Sequence, residues 1–197
     1  MRIIKTNQKN LREVIKIAII SLKKGKVLVC PTDTVYGLIC DAKNDSAIRR
    51  IFKIKKRSFQ KPLSIFVKNL KTAKKLAIIN GKQEKILKKN WPGKLIAVFK
   101  AKKKFPKGIV CEFGKIGLRV PDYKLLNDLL DNFSRPLTQT SANISGELAS
   151  NKIKDVLNQF QNKKNQPDLV IDAGNLKPLK LSRVIDFTGE KPKILRG

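Results

Sequence analysis

Apolar and polar positions along this chain follow two periods in turn. From Leu11 to Lys24 apolar residues return at helical spacing, and Gly25 stands where a helix C-cap belongs. Val27 to Cys30 is a short apolar run that reads as a buried strand. Pro31 stops it, having no amide hydrogen for a ladder. Asn44, Asp45 and Ser46 offer N-caps for a second helix carrying Ile48, Ile51, Phe52 and Ile54. Leu63–Val67 predicts a strand, Leu70–Ala77 and Gln83–Lys89 two Lys-rich helices, and Leu95–Phe99 and Gly117–Val120 further strands. A helix over Tyr123–Leu130, a strand over Leu137–Thr140 and a helix over Lys152–Phe160 follow. Leu169–Asp172, Val184–Phe187 and Lys193–Leu195 are late strands. Strands and helices mix throughout, which predicts the α/β class with a mixed, twisted sheet flanked by helices. There is no internal repeat. The polar tracts Lys100–Lys107 and Gln159–Gln166 are too short to divide domains, so residues 1–197 are expected to form one domain.

Composition changes this picture in three places. The net charge is +29, from 44 Lys and Arg against 15 Asp and Glu. It implies a polyanionic partner or anionic substrates, or drift in a chain rich in Lys, Ile and Asn. There is no His, which removes His-based triads, general bases and metal ligands together. Cys30, Cys40 and Cys111 match no zinc or redox spacing, and an odd number cannot complete a disulfide framework. They are expected to be free thiols in a reducing cytosol. Met1-Arg2-Ile3-Ile4-Lys5 has no signal-peptide architecture, and the apolar run Val14 to Leu22 is too short to span a bilayer. A cytoplasmic protein with no membrane contact is expected.

Candidate chemistry concentrates in a few segments. Thr32-Asp33-Thr34-Val35-Tyr36-Gly37, after a strand stopped by proline, is dense in hydroxyls with one carboxylate. It is either an ordinary turn or a ligand-facing turn at a strand end. Lys55 and Arg57 can meet one ligand only if their helix ends there; otherwise they are a solvated basic helix end. Arg119 lies among apolar strand residues, where burial requires an anionic partner, either a protein carboxylate or a substrate carboxylate. Ser141 and Asn143 fall on one side of an extended chain, suited to a small zwitterion and a nucleotide, or to an Asx-type turn before Gly146. Trp91-Pro92-Gly93 reads as a turn, with the indole either packed or stacked on a base.

Taken in order, these segments resemble the YrdC-like family of threonylcarbamoyl-AMP synthases. The resemblance is carried by Pro31-Thr32-Asp33-Thr34-Val35-Tyr36-Gly37-Leu38, Lys55-Lys56-Arg57 with Lys61-Pro62-Leu63, and Trp91-Pro92-Gly93. It continues through Gly117-Leu118-Arg119-Val120-Pro121, Thr140-Ser141-Ala142-Asn143-Ile144-Ser145-Gly146, Ser182 with Val184-Ile185-Asp186, and Ile194-Leu195-Arg196. It spans nearly the whole chain and is similar to the short form, without the further C-terminal domain of longer members.

The resemblance implies a YrdC-like fold with a basic concave cleft, and synthesis of threonylcarbamoyl-AMP and pyrophosphate from L-threonine, bicarbonate or CO2, and ATP. The product serves threonylcarbamoyladenosine formation beside the tRNA anticodon. It implies threonine contacts at Thr34, Phe66, Arg119 and Ser141. It implies ATP contacts at Lys55, Arg57, Lys61, Lys115, Asn143, Asn151, Ser182 and Arg196. Phe66 is equally a core strand residue. No covalent nucleophile and no protein metal site are expected, with Mg²⁺ bridging the ATP phosphates. The implied partner downstream is the tRNA threonylcarbamoyl transferase complex, with direct tRNA binding a further option. The chain departs from the family pattern at Lys94, Ile96 and Arg183, and at Leu176-Lys177-Pro178-Leu179 in place of a glycine-rich approach to Ser182. Two alternatives stand beside this reading. One is a non-enzymatic basic RNA-binding accessory protein, which would want more interleaved aromatics. The other is a carbamoyl-transfer module like that of hydrogenase maturation enzymes, which would want a longer chain.

Overall fold

The computed structural model describes residues 1–111, 113–177 and 181–197. Its strands are β1 (Arg2–Lys5), β2 (Leu28–Cys30), β3 (Gly37–Ile39), β4 (Ser64–Phe66), β5 (Leu95–Lys100), β6 (Lys115–Arg119), β7 (Leu137–Ser141), β8 (Leu169–Asp172), β9 (Arg183–Asp186) and β10 (Lys193–Arg196). Its helices are α1 (Leu11–Lys23), α2 (Asp45–Lys55), α3 (Leu70–Leu76), α4 (Gly81–Asn90), α5 (Lys124–Phe133) and α6 (Ile153–Phe160). The strands form one sheet in the order β1-β8-β2-β3-β7-β4-β6-β5-β9-β10. β1 and β2 both pair parallel with β8, β4 pairs parallel with β6, and β5 with β9. The other neighbours are antiparallel. The mixed α/β sheet expected from the pattern is the one observed.

Strand alternation sorts the core into two layers. Leu28, Cys30, Ile39, Phe66, Leu137, Leu169 and Ile171 pack against Val14, Ile15, Ala18 and Leu22 of α1 and against Leu126, Leu129, Leu130 and Phe133 of α5. Val27, Val29, Leu38, Ile65, Leu118 and Ala97 point to the opposite face, under Ile48, Ile51 and Phe52 of α2, Leu76 of α3, Leu87 of α4 and Phe160 of α6. α1 and α5 therefore cover only the first half of their face. From β7 across to β9, the same face lines an open cleft.

The ends of α2 and α1 are written in sequence. Asn44 caps α2, its side chain accepting from the Ala47 amide at 3.0 Å, worth about 1 kcal/mol. At its other end Lys56 adopts φ 49°, and the Arg57 amide folds back onto the Phe52 carbonyl. The helix thus stops between Lys55 and Arg57, as a shared ligand would require. α1 likewise ends before Gly25, which carries φ +69°, a conformation glycine adopts at low cost.

Two strands escape the hydrophobic pattern. β1 is a short edge strand with mostly exposed residues, so no buried stripe marks it. β3 has three residues, all buried, too few to show a period, and it is ordered by pairing with β2 and β7. Cys30 and Cys40 are buried and Cys111 half-buried, all as free thiols. Burial raises the Cys30 and Cys40 thiols, Cys40 to about 12, so both are inert packing residues. Among the described residues, no helix is long and apolar enough to cross a membrane.

Candidate active site

The cleft has a volume of about 440 Å³, and its floor follows from the sheet register. Phe66 lies beside Arg119, with Ile96 and Val184 paired in the next two strands. One step along, Gln139, Ser64, Gly117, Val98 and Asp186 form a second row. Gly117 is the low point. A Cβ there would stand 3.0 Å from the Ser64 Cβ and 3.4 Å from Ile96, so glycine lets the strands approach and leaves the floor open.

Arg119 anchors the deep end. It is 1% exposed, and its Nη2 forms a 2.5 Å ion pair with Asp33, whose other oxygen accepts from the Asp122 amide at 3.3 Å. Nε donates to the Gly93 carbonyl at 2.8 Å and Nη1 to Ser182 Oγ at 2.5 Å. The ring of Phe66 lies 5.6 Å from the guanidinium carbon, so Phe66 is both core and cleft wall. Burial pulls the Arg119 pKa down and Asp33 opposes the shift; a guanidinium stays charged regardless. The anionic partner that the sequence requires is thus present in the protein, supplied by the hydroxyl-rich turn after β2. A guanidinium has five N–H groups. Among the described residues, one on each terminal nitrogen has no protein acceptor, and Arg119 lines the cleft.

At the cleft mouth Arg57 is half-buried, with Nε on the Lys61 carbonyl at 2.8 Å and Nη2 on the Pro62 carbonyl at 3.3 Å. Lys115 of β6 forms a 2.8 Å pair with Asp186 of β9, the single carboxylate among the described lining residues. Asp186 is held below the usual carboxylate range: burial works against it, but Lys115 and Thr188 outweigh that. Arg196 donates Nε and Nη2 to the Ser182 carbonyl at 3.0 and 2.8 Å. Thr34 and Ser141 complete the wall.

Not every residue singled out in the sequence reaches the wall. Lys61 is exposed and contributes its carbonyl to Arg57. Asn151 is half-buried, and its Nδ2 ties the chain to the Leu176 carbonyl at 2.7 Å. Lys55 and Asn143 sit behind Ser141, bonded to each other and to its carbonyl. The extended-chain alternation expected for Ser141 and Asn143 ends at Ser141: the chain turns, with the Asn143 amide on the Ser141 carbonyl, and the Asn143 side chain folds behind Ser141, whose hydroxyl donates to its Oδ1. Burial and then Arg57 pull the Lys55 ammonium down to about 7, against three acceptors that only its charged form can satisfy together.

Asp33, Gly117 and Asp186 carry structural weight that the residue reading leaves unassigned, although each lies inside a quoted motif. Trp91 packs: it is 8% exposed, and its Nε1 donates to the Leu95 carbonyl at 2.7 Å. Its turn presents the Gly93 carbonyl to Arg119. Of the departures, Ile96 lies on the cleft wall, the Lys94 carbonyl accepts from the Arg183 amide, and Arg183 reaches Asn90 on the surface. Pro178 and Leu179 lie outside the described residues.

The Sua5/YciO/YrdC family model, described as "Telomere recombination", matches residues 21–197. A putative threonylcarbamoyl-AMP synthase of Methanocaldococcus jannaschii is 34% identical over 191 residues, covering 97% of this chain and 88% of that protein. The threonylcarbamoyl-AMP synthase of Pyrococcus abyssi is 32% identical over 183 residues, 92% of this chain and 53% of its own. The chain therefore spans about half the length of the latter. The solved structure of P. abyssi Sua5 complexed with L-threonine superposes with a TM-score of 0.89 at 30% identity, over 99% of this chain and 56% of that one. Escherichia coli YciO superposes with a TM-score of 0.87 at 25% identity, over 99% and 93%. The family model and these relatives cover the strands and turns that build the cleft, and this chain belongs to the Sua5/YciO/YrdC family.

Proposed function

We propose that this chain is a threonylcarbamoyl-AMP synthase, joining L-threonine, bicarbonate or CO2, and ATP into threonylcarbamoyl-AMP and pyrophosphate. The observation that carries the reading is the composition of one cleft. It holds an Arg with two uncommitted N–H groups on its terminal nitrogens, hydroxyl side chains that include Thr34 and Ser141, and three more cations around its wall. An amino-acid carboxylate suits Arg119, with Thr34, Ser141 and Phe66 around the rest of the amino acid. The triphosphate suits Arg57, Lys115 and Arg196. Ser182 links the two halves, because its hydroxyl meets Arg119 and its carbonyl meets Arg196.

The reaction asks for no covalent nucleophile. The threonine amine adds to CO2, a carbamate oxygen attacks the α-phosphorus, and pyrophosphate leaves. The cleft contributes positioning and neutralisation of the charge that moves onto pyrophosphate. Mg²⁺ would arrive with the nucleotide and neutralise phosphate charge. Among the described residues no three His, Cys, Asp or Glu group to hold a metal, and Asp186 already accepts from Lys115. The product would pass to the tRNA threonylcarbamoyl transferase complex. The test is pyrophosphate release from ATP with threonine and bicarbonate present or withheld. Release that requires both supports the reading; equal release without threonine overturns it.

A further inference from the structure

The turn after β7 is tied down from behind by one cation. Lys55, the last residue of α2, is 1% exposed. Its Nζ donates to the Ser141 carbonyl at 2.6 Å, the Asn143 carbonyl at 2.7 Å and Asn143 Oδ1 at 3.0 Å. An ammonium has three N–H groups, so all are spent. Asn143 is spent as well. Its Nδ2 donates to the Ile144 carbonyl at 3.0 Å and the Glu147 carbonyl at 2.7 Å. Those two acceptors fix which end of the amide is oxygen. Oδ1 can then only accept, and it accepts from Lys55 and from Ser141 Oγ at 2.5 Å.

The hydroxyl hydrogen of Ser141 is therefore committed, and its oxygen, on the cleft wall, has only lone pairs to offer. Thr34 arrives at the same state by a separate route. Thr32 Oγ1 donates to the Val35 carbonyl at 2.7 Å, so the 3.1 Å contact between the two threonine hydroxyls is donated by Thr34. Two hydroxyls on one cleft wall are thus both held as acceptors. Among the groups of an amino acid, only its amine and its hydroxyl can donate to them.

Building on the function proposed above, we propose that Lys55 and Asn143 are positioning residues that hold Ser141 as an obligate acceptor for the amino group of the amino-acid substrate. Lys55 and Asn143 then act on threonine through Ser141 rather than by touching phosphate. A phosphate contact and this role differ in one measurable respect: threonine binding with no nucleotide present.

Titration calorimetry without ATP compares L-threonine with 3-hydroxybutanoate, which lacks only the amine. The wild type should prefer threonine. In Lys55→Met that preference should shrink by about tenfold or more, the scale of one hydrogen bond of this kind. Ser141→Ala is half-buried and leaves the ammonium in place, so it tests the acceptor even if Lys55→Met does not fold; it should lose the preference likewise. Lys56→Ala should keep it. Wild-type preference in Ser141→Ala, or in a folded Lys55→Met that is weakened only toward ATP, overturns the positioning role. Wild-type protein that binds neither compound overturns the parent reading and this inference with it.

Discussion

The Asp33–Arg119 pair sets the largest single energetic stake in the site. Its side chains are 7% and 1% exposed, so solvent screens little of the interaction and the small values typical of surface pairs do not apply. Arg119→Leu leaves the Asp33 carboxylate buried with one amide donor at 3.3 Å and takes a donor away from the Ser182 hydroxyl oxygen and the Gly93 carbonyl. Breaking one partner of a buried pair costs about 3–5 kcal/mol. Asp33→Asn keeps the shape and one acceptor and should cost about 1–3 kcal/mol. In the double variant the uncompensated charge is gone. Its loss should fall short of the sum by roughly 2 kcal/mol, well beyond the few tenths within which independent sites add. Urea unfolding of the four proteins at neutral pH measures this coupling. Additivity within about 0.5 kcal/mol would refute the claim that the two buried charges are coupled. A more stable Arg119→Leu single variant would refute the burial argument itself.

The remaining expectations are shorter. Arg57→Ala should lower turnover about a hundredfold, on the scale of one preorganised donor. Arg57→Lys should recover only part of this, because an ammonium cannot bridge the Lys61 and Pro62 carbonyls and still present a planar edge; the check is kcat at saturating ATP, with exposed Lys56→Ala as the unchanged control. At the other end of the sheet, Arg50 grips Asp168 through both oxygens, at 2.8 and 3.0 Å, and the Val27 amide adds a 2.8 Å bond. Burial alone would raise the Asp168 pKa, but these donors outweigh it and hold it below its ordinary value. Because the folded pKa is the lower one, the stabilisation is full above the unfolded value of about 3.9 and is lost as pH falls through the folded value. Asp168→Asn should therefore lower Tm near neutral pH and make no difference in strong acid; a Tm gap that persists unchanged into strong acid would show that the stabilisation is not ionic.

The sheet flanked by helices was readable because apolar runs and helical periodicity are local signals: Val27 to Cys30 as one buried strand, or Leu125, Leu126, Leu129 and Leu130 along α5; which strand residues face which layer came from the structure. β1 and β3 lacked such a signal, since their order comes from pairing with strands distant in sequence. The site divides along the same line. Arg119 could be placed from its strand, whereas Lys115 was nominated by the resemblance alone; β6 extends back to Lys115 and brings both to the cleft wall. Residues just past a strand or helix end could not. Ser141 closes β7 and faces the cleft, whereas Asn143, two positions on, folds behind it. Lys55 closes α2 and points under that turn, whereas Arg57, two positions on, swings to the mouth because Lys56 takes a left-handed conformation.

In both motifs, then, one residue meets the cleft and its neighbour two positions away holds the other motif in place. Lys55 from the first bonds Ser141 and Asn143 of the second, so the motifs are a single mechanical unit although 86 residues separate Lys55 from Ser141. This explains why motif order alone could nominate all four residues but not divide them by task. A residue that supports a ligand contact and one that makes it need the same kind of polar side chain at the same place. What separates them is whether their donors are already spent. That count depends on which carbonyls the turn brings within 3 Å, and the turn is set by where β7 ends and α2 stops. Substitutions that move either terminus, even without touching a polar group, should therefore disturb threonine and nucleotide binding together, whereas loss of Arg57 alone should separate them.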